Sequence, residues 1–132
     1  MFSDIEDSTV LTEKLGDRGW QDLLHKHNAL IREQLRAHDG YEVKTMGDGF
    51  MALMGVPTAH EDHARRAVLA ALALRRRLLR DLTPPGLERV EVRMGLNSGS
   101  VVVGSLGTDP EGDHTAIGDT INVAARLESI AE

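Results

Sequence analysis

The sequence predicts an α+β fold with a ferredoxin-like core of strand, helix, strand, strand, helix, strand, followed by an added β-hairpin and a C-terminal helix. Two observations carry this prediction. Apolar residues recur at helical spacing in two long segments, and short segments rich in Val, Phe and Met lie between and after them. The chain has 132 residues, 41% of them hydrophobic, which suffices for one core but not for two ordinary domains. We therefore expect residues 1–132 to form a single domain.

The first half of the chain supplies one strand, one helix and one hairpin. Met1–Ile5 is interpreted as the tail of the first strand. Apolar residues at helical spacing predict a helix over Trp20–Leu35. Tyr41–Met46 and Gly49–Met54 are predicted to be the second and third strands, because the turn dipeptide Gly47-Asp48 separates them.

The second half of the chain continues the alternation of helix and strand. A helix is predicted over Glu61–Asp81, and Pro84-Pro85-Gly86 ends it. Its buried side is expected to carry Ala64, Ala67, Val68, Ala71, Leu72, Leu78 and Leu79. The remaining predicted elements are a strand over Val90–Asn97, a hairpin of Ser100–Leu106 and His114–Ile117, and a helix that begins with capping side chains at Gly118-Asp119-Thr120 and runs to Ile130.

Composition narrows the classes of function. A net charge of -6 argues against a general nucleic-acid binder, whose affinity depends on clustered Lys and Arg. The chain has no cysteine, so it has neither disulfides nor a thiolate metal site. Charges interrupt every apolar stretch well before the length of about 18 residues that a membrane span requires. We expect no membrane segment in this chain. The location expected for it is cytoplasmic, with any membrane anchor outside this chain.

Two aspartates are predicted to meet at one edge of the sheet. In this strand order a right-handed crossover makes strands one and two parallel, and strand three fills the gap between them in the opposite direction. Asp4, near the end of strand one, and Asp48, at the start of strand three, should then converge. Two such carboxylates repel each other unless a cation lies between them, and Mg²⁺ suits so sparse a ligand set. The alternative is that both are ordinary turn residues, since Asp-Gly is a common hairpin dipeptide.

Four motifs extend this interpretation. They are, in chain order, FSDIEDST over 2–9, EVKTMGDGFMA over 42–52, VRMGLNSG over 92–99 and IGDTINVAARLES over 117–129. In this order they resemble class III nucleotidyl cyclase catalytic domains, over nearly the whole chain. The resemblance implies the class III cyclase fold and an adenylate cyclase, a phosphorus–oxygen lyase that converts ATP to 3',5'-cyclic AMP and pyrophosphate with two Mg²⁺ or Mn²⁺ ions.

The resemblance also assigns roles to residues. Asp4 and Asp48 match the metal-binding aspartates, and Ile5 matches a position whose backbone carbonyl also binds metal. In the family chemistry the ribose 3'-hydroxyl attacks the α-phosphorus. One ion acidifies the attacking oxygen and the other holds the leaving phosphates. A dedicated protein base is then unnecessary.

The other residues to which the resemblance assigns a role contact the nucleotide. Lys44 matches the lysine that recognises adenine and favours ATP over GTP, and Thr115 matches its purine-binding partner. Asn122 and Arg126, four apart on the last helix, match the residues that orient the ribose and stabilise charge at the α-phosphate. Arg93 matches a strand arginine that contacts the terminal phosphates. Without the resemblance, Lys44 would be an exposed strand lysine, and Asn122 and Arg126 a solvated helix face.

The family pattern also implies an assembly. In it Lys44, Thr115, Asn122 and Arg126 serve a site whose metal aspartates come from the opposite subunit, so we expect a head-to-tail homodimer with two shared sites. A sensor or regulatory domain is a possible attachment.

Asp7 stands where many members have glycine, and the chain is expected to be trimmed at its first strand and at its C-terminal end. The alternatives are a non-catalytic regulatory or dimerisation module and a guanylate cyclase.

Overall fold

The computed structural model describes residues 1–103 and 116–131. In these residues a four-stranded antiparallel sheet has the order β2-β3-β1-β4, and a separate two-stranded sheet pairs β5 with β6. The ferredoxin-like core and the added hairpin are therefore confirmed. The elements are β1 (Phe2–Ile5), α1 (Ser8–Ala37), β2 (Gly40–Met46), β3 (Gly49–Met54), α2 (His63–Asp81), β4 (Val92–Gly95), β5 (Val102–Val103), β6 (Ala116–Ile117) and α3 (Asp119–Ser129).

Helix α1 starts far earlier than the sequence predicts. It begins at Ser8 rather than at Trp20 and continues through a kink at Gly16, which has φ 70° and ψ 171°. The residues before the kink are mostly polar, and a glycine inside a helical pattern weakens the prediction of a helix. Leu11 is nevertheless buried and joins the core, so tertiary packing supports this first segment.

Helix α2 presents a different face to the core from the predicted one. Ala70, Ala71, Leu74 and Leu78 are buried, whereas Val68 and Leu72 are each 50% exposed and Leu79 is 42% exposed. Ala64 is exposed as well, so the predicted burial of Ala64, Val68, Leu72 and Leu79 is wrong. The run Ala67–Leu74 is entirely apolar, so periodicity cannot choose between its sides. The small side chains of Ala70 and Ala71 allow the helix to approach its neighbours closely.

The last elements are shorter than predicted. Strand β4 ends at Gly95, and β5 is only two residues long. Helix α3 begins at Asp119 without a side-chain cap, because its N-cap residue is Gly118, and the Thr120 hydroxyl donates to the carbonyl of Ser100 at 2.8 Å. The predicted capping side chains are therefore wrong. No helix in residues 1–103 and 116–131 has the length and apolar character needed to cross a membrane.

The two faces of the main sheet carry different clusters. Ile5, Phe50 and Ala52 face α1 and α2 and belong to the main core. Phe2 and Met51 lie on the other face, against which α3 packs; we call this the α3 face. Because side chains alternate along a strand, Asp4 lies on the α3 face with Phe2. This alternation decides which functional residues can meet.

Candidate active site

Asp4 and Asp48 come together at the end of β1. Asp48 occupies the turn between β2 and β3, and the pairing of Ser3 with Phe50 brings that turn beside Asp4. The two carboxylates are close enough for Asp48 to act on the Asp4 carboxyl. Burial, and next the charge of Asp48, raise the pKa of Asp4 from 3.8 to about 6. The carboxylates therefore meet as topology predicts, and their repulsion marks a place for a cation.

Ile5 can offer such a cation only its backbone. Its side chain is 1% exposed and lies in the main core under α1 and α2. Any ligand from this residue must therefore be the carbonyl oxygen, which is a suitable donor for a hard divalent ion.

Arg93 lies on β4 directly across from Asp4. Its Nη2 is 3.9 Å from Asp4 Oδ2, and its Nε is 3.6 Å from Glu128 Oε1 on α3. This guanidinium is the cation nearest to the carboxylate pair in the part of the chain that the structure describes, and its charge acts to lower the Asp4 pKa against the larger effects that raise it. The structure thus places Arg93 with Asp4 of its own chain, where it could meet a phosphate bound at the same carboxylates.

Glu128 is a site residue that the sequence reasoning missed. Helix α3 lies so close to β4 that a Cβ on Gly95 would be 2.1 Å from the Ala124 carbonyl oxygen and 2.3 Å from the Glu128 nitrogen. This approach brings Glu128 beside Arg93. A signal did exist, because glycine inside a strand often marks a close neighbour, and Glu128 follows the buried Ala124 by one helical turn.

A β-bulge sets the position of Lys44. Glu42 pairs with Ala52, but Lys44 pairs with Met51, so Val43 is an extra residue in β2. In regular pairing Lys44 would oppose Phe50 and face the helices α1 and α2. The bulge moves it to the α3 face, which also carries Met51 and Asp4. Lys44 is two strands from β1, about 10 Å away at the usual strand spacing.

Asn122 and Arg126 point away from Asp4 of their own chain. Both are exposed, and within the described residues neither side chain has a recorded hydrogen-bond partner. Arg126 is two residues from both Ala124 and Glu128, which is a rotation of about 200° around the helix. Since Ala124 and Glu128 face β4, Arg126 faces the opposite way. The structure thus brings together Asp4, Asp48 and Arg93, and leaves Asn122 and Arg126 outside that group.

Comparison with known proteins identifies this arrangement. The family model described as the adenylate and guanylate cyclase catalytic domain matches residues 1–132. The chain belongs to the class III nucleotidyl cyclase family. Its relatives act on either purine nucleotide, as their names state, so family membership alone leaves the choice between ATP and GTP open.

Three relatives illustrate the match of this cyclase domain. Adenylate cyclase 1 of Rhizobium meliloti is 36% identical over 98% of the chain, which spans about a fifth of that protein (20%). The guanylate cyclase domain of RhGC from Catenaria anguillulae, in complex with GTP, is 33% identical with a TM-score of 0.87, and the match covers 99% of this chain and 71% of that one. The adenylyl cyclase CyaB from P. aeruginosa is 33% identical with a TM-score of 0.83, and the match covers 99% and 70%.

Two further positions are singled out by the sequence prediction of the nucleotide site. Thr115, the expected second purine-binding residue, lies outside the described residues. Asp7 precedes α1 with φ 54° and ψ 35°, a left-handed conformation. Glycine adopts this conformation without strain, and Asp is among the few other residues that tolerate it. The backbone at this position would therefore accept glycine without strain.

Proposed function

We propose that this cyclase domain is an adenylate cyclase, which forms 3',5'-cyclic AMP and pyrophosphate from ATP. The observation that carries the proposal is the convergence of Asp4, Asp48 and Arg93 at one end of β1. The bulge at Val43 supports it, because Lys44 then lies on the same face of the sheet. A triphosphate held at the carboxylates could thus direct its base along that face.

The residues present fit a divalent-metal site. Burial, and next the charge of Asp48, raise the pKa of Asp4, so binding of a cation at these two carboxylates would relieve a cost. Asp4, Asp48 and the Ile5 carbonyl would hold two Mg²⁺ or Mn²⁺ ions, whose other ligands would be water and phosphate. Bound ions of this kind lower the pKa of the attacking hydroxyl and neutralise the leaving phosphates. Class III cyclases are generally divalent-metal dependent.

The side chains of this chain would orient the nucleotide and stabilise charge. The 3'-hydroxyl oxygen bonds to the α-phosphorus, the bond from that phosphorus to the bridging oxygen breaks, and pyrophosphate leaves with the electron pair while the hydroxyl proton passes to water. Arg93, opposite Asp4, is placed to donate hydrogen bonds to the terminal phosphates. Arg126 would stabilise the charge that grows at the α-phosphate, and Asn122 would orient the ribose.

The geometry of α3 supports a site shared between two subunits. Glu128 faces Asp4 and Arg93, and Arg126 projects about 200° away around the helix, so Arg126 points away from its own chain's carboxylates. A head-to-tail homodimer closed by two-fold symmetry would bring it to the partner's site. Apolar side chains left exposed on β2, on α3 and directly after α3 suit such an interface: Met46 is 45%, Leu127 42% and Ile130 73% exposed.

Product analysis tests the proposed function. The chain is incubated with MnATP or MnGTP, and cyclic AMP and cyclic GMP are separated and quantified. We expect cyclic AMP with a clear preference for ATP. A preference for GTP would make the domain a guanylate cyclase. The absence of either product from a protein shown to be dimeric would favour a regulatory module.

Lys44→Glu should shift the preference between the nucleotides. An ammonium can only donate to adenine N1, whereas a carboxylate accepts from the donors of guanine. We expect kcat/KM for ATP to fall roughly 10- to 100-fold, since adenine N1 loses its hydrogen-bond donor. The ratio of GTP to ATP turnover should rise. Lys26→Glu, an equal charge change at an exposed position of α1, is the control. Equal losses for both nucleotides would contradict a role of Lys44 in base recognition.

Asp7→Gly should strengthen nucleotide binding. The change removes a negative charge three residues from Asp4 and places in the left-handed conformation the residue that adopts it most easily. We expect KM for ATP to fall roughly 2- to 10-fold with little change in kcat, because the charge acts on bound phosphates through solvent. Asp7→Asn removes the charge alone and so separates the two effects. An unchanged KM in both variants would show that Asp7 does not oppose binding.

A further inference from the structure

The guanidinium of Arg93 lies between two carboxylates without a close bond to either. It is 3.9 Å from Asp4 Oδ2 and 3.6 Å from Glu128 Oε1, both beyond the usual 2.7–3.2 Å of an N–H···O hydrogen bond. Its Nη1 makes only a long contact, 3.4 Å, with the Ser129 carbonyl oxygen. Arg93 is therefore shared between β1 and α3 rather than committed to one partner.

Glu128 is unusual because its charge is largely buried. Its side chain is 13% exposed, and among the described residues its Oε1 and the Arg93 Nε are both buried without a hydrogen-bond partner. Burial raises the pKa of Glu128, against the effect of Arg93. A carboxylate is costly in such a place unless it is paired, and the only cation within 4 Å of it in the described part of the chain is Arg93.

The alternative partner of Arg93 is Asp4. A guanidinium directly across a strand pair from an aspartate can form a bidentate pair with it at about 2.8 Å. Such a pair would occupy the oxygens of Asp4 that a cation needs. A second carboxylate on the α3 side of Arg93 would compete for the guanidinium and prevent this bidentate pair from forming.

We propose that Glu128 is a positioning residue that draws Arg93 toward α3 and so keeps Asp4 open for a divalent cation. This inference rests on the proposed metal site at Asp4 and Asp48. On this proposal, the close contact between Gly95 and α3 has a specific role, because it places the Glu128 carboxylate beside Arg93 on the side away from Asp4. Glu128 itself takes no part in the reaction.

A double-mutant cycle with Mn²⁺ alone tests the proposal. Mn²⁺ binding to the wild-type chain and to the variants E128Q, R93A and E128Q/R93A is measured by electron paramagnetic resonance without nucleotide. We expect E128Q to weaken Mn²⁺ binding about 10-fold when Arg93 is present, because Arg93 then closes onto Asp4. In the R93A background the same change should cost about 2-fold or less, because no guanidinium remains to close the site.

The other outcomes separate the possible explanations. If E128Q weakens binding equally in both backgrounds, Glu128 merely adds negative potential, and the proposal is overturned. If the wild-type chain binds no Mn²⁺, both this proposal and the proposed metal site fall. E91Q is the matched control. It removes the exposed carboxylate of Glu91, which directly precedes β4 and pairs with Arg89 at 2.8 Å, and it should change Mn²⁺ binding less than 2-fold.

A structure of metal-free E128Q provides a readout that does not depend on metal. The distance from Arg93 Nη2 to Asp4 Oδ2 should shorten from 3.9 Å to hydrogen-bond length. An unchanged distance would contradict the proposal. E128Q nearly preserves the shape of the side chain, and equal thermal unfolding temperatures of E128Q and E91Q would show that the fold is intact. If E128Q does not fold, E128D, which keeps the charge but withdraws it from Arg93, should show the same Mn²⁺ defect in weaker form.

Discussion

Asp48→Asn should abolish cyclase turnover and at the same time stabilise the metal-free protein. Loss of one of two metal-binding carboxylates is expected to lower kcat at least 100-fold, because the acceleration depends on the bound ions. The same substitution removes the charge that, after burial, does most to raise the pKa of Asp4 to about 6. After discounting for solvent around these partly exposed side chains, relief of this repulsion is worth up to about 1 kcal/mol in the free energy of unfolding.

The stability difference has a defined dependence on pH. The pKa of Asp4 is about 6 in the folded chain and 3.8 when unfolded, so the folded state binds more protons between these values. The contribution of Asp4 to stability is therefore full below about pH 4 and is lost as pH rises through 6. We expect wild type and Asp48→Asn to be similarly stable at pH 4.5 and to differ most at pH 7, in thermal unfolding with a chelator present.

Controls isolate this pair from the other ionisable groups. Elsewhere the bidentate bond from Arg32 lowers the pKa of Glu42. This pair makes the stability of the chain rise with pH, opposite to the effect of Asp4. Wild type and variant are therefore compared with each other at each pH. Asp22→Asn, at an exposed position on α1, should change neither activity nor stability. Addition of Mn²⁺ should stabilise wild type and not Asp48→Asn. A variant that stays active, or that is less stable than wild type at pH 7, would refute the shared-cation interpretation.

The meeting of Asp4 and Asp48 was predictable because it follows from topology alone. Once the strand and helix order is known, the right-handed crossover leaves one arrangement in which strand three starts where strand one ends. The observed order β2-β3-β1-β4 is that arrangement. No side-chain detail entered the argument, so errors in the length of individual elements, such as α1, did not affect it.

Other features depend on packing that no local pattern records. The bulge at Val43 decides the face on which Lys44 lies, and its only trace in the β2 sequence is that the alternation of Tyr41 and Val43 stops at the polar pair Lys44-Thr45. The buried face of α2 was mispredicted because Ala67–Leu74 is apolar on every side. Glu128 was overlooked because its role comes from contact with Arg93, 35 positions earlier in the chain, which only the approach of α3 to Gly95 creates. Long-range contacts, not propensities, set all three.

Mixing two inactive variants should restore turnover if the active site is shared. Asp48→Asn damages the metal half of a site, and Arg126→Ala damages the half that contacts the α-phosphate. Each should lower activity at least 100-fold alone. In a mixed dimer one site contains both lesions and the other contains neither. Random exchange of equal amounts makes half the dimers mixed, each with one intact site, so about a quarter of wild-type activity should return.

The structure supplies the reason to expect rescue. Arg126 lies about 200° around α3 from Glu128, which faces Arg93 and Asp4 of the same chain, so we expect the two halves of a complete site to come from different subunits. Asp4→Asn mixed with Asp48→Asn is the matched control. Both lesions then affect the metal half, every site contains one of them, and no activity should return. If Arg126→Ala and Asp48→Asn also fail to rescue each other after proven subunit exchange, each chain contains its own complete site and the shared-site dimer is wrong.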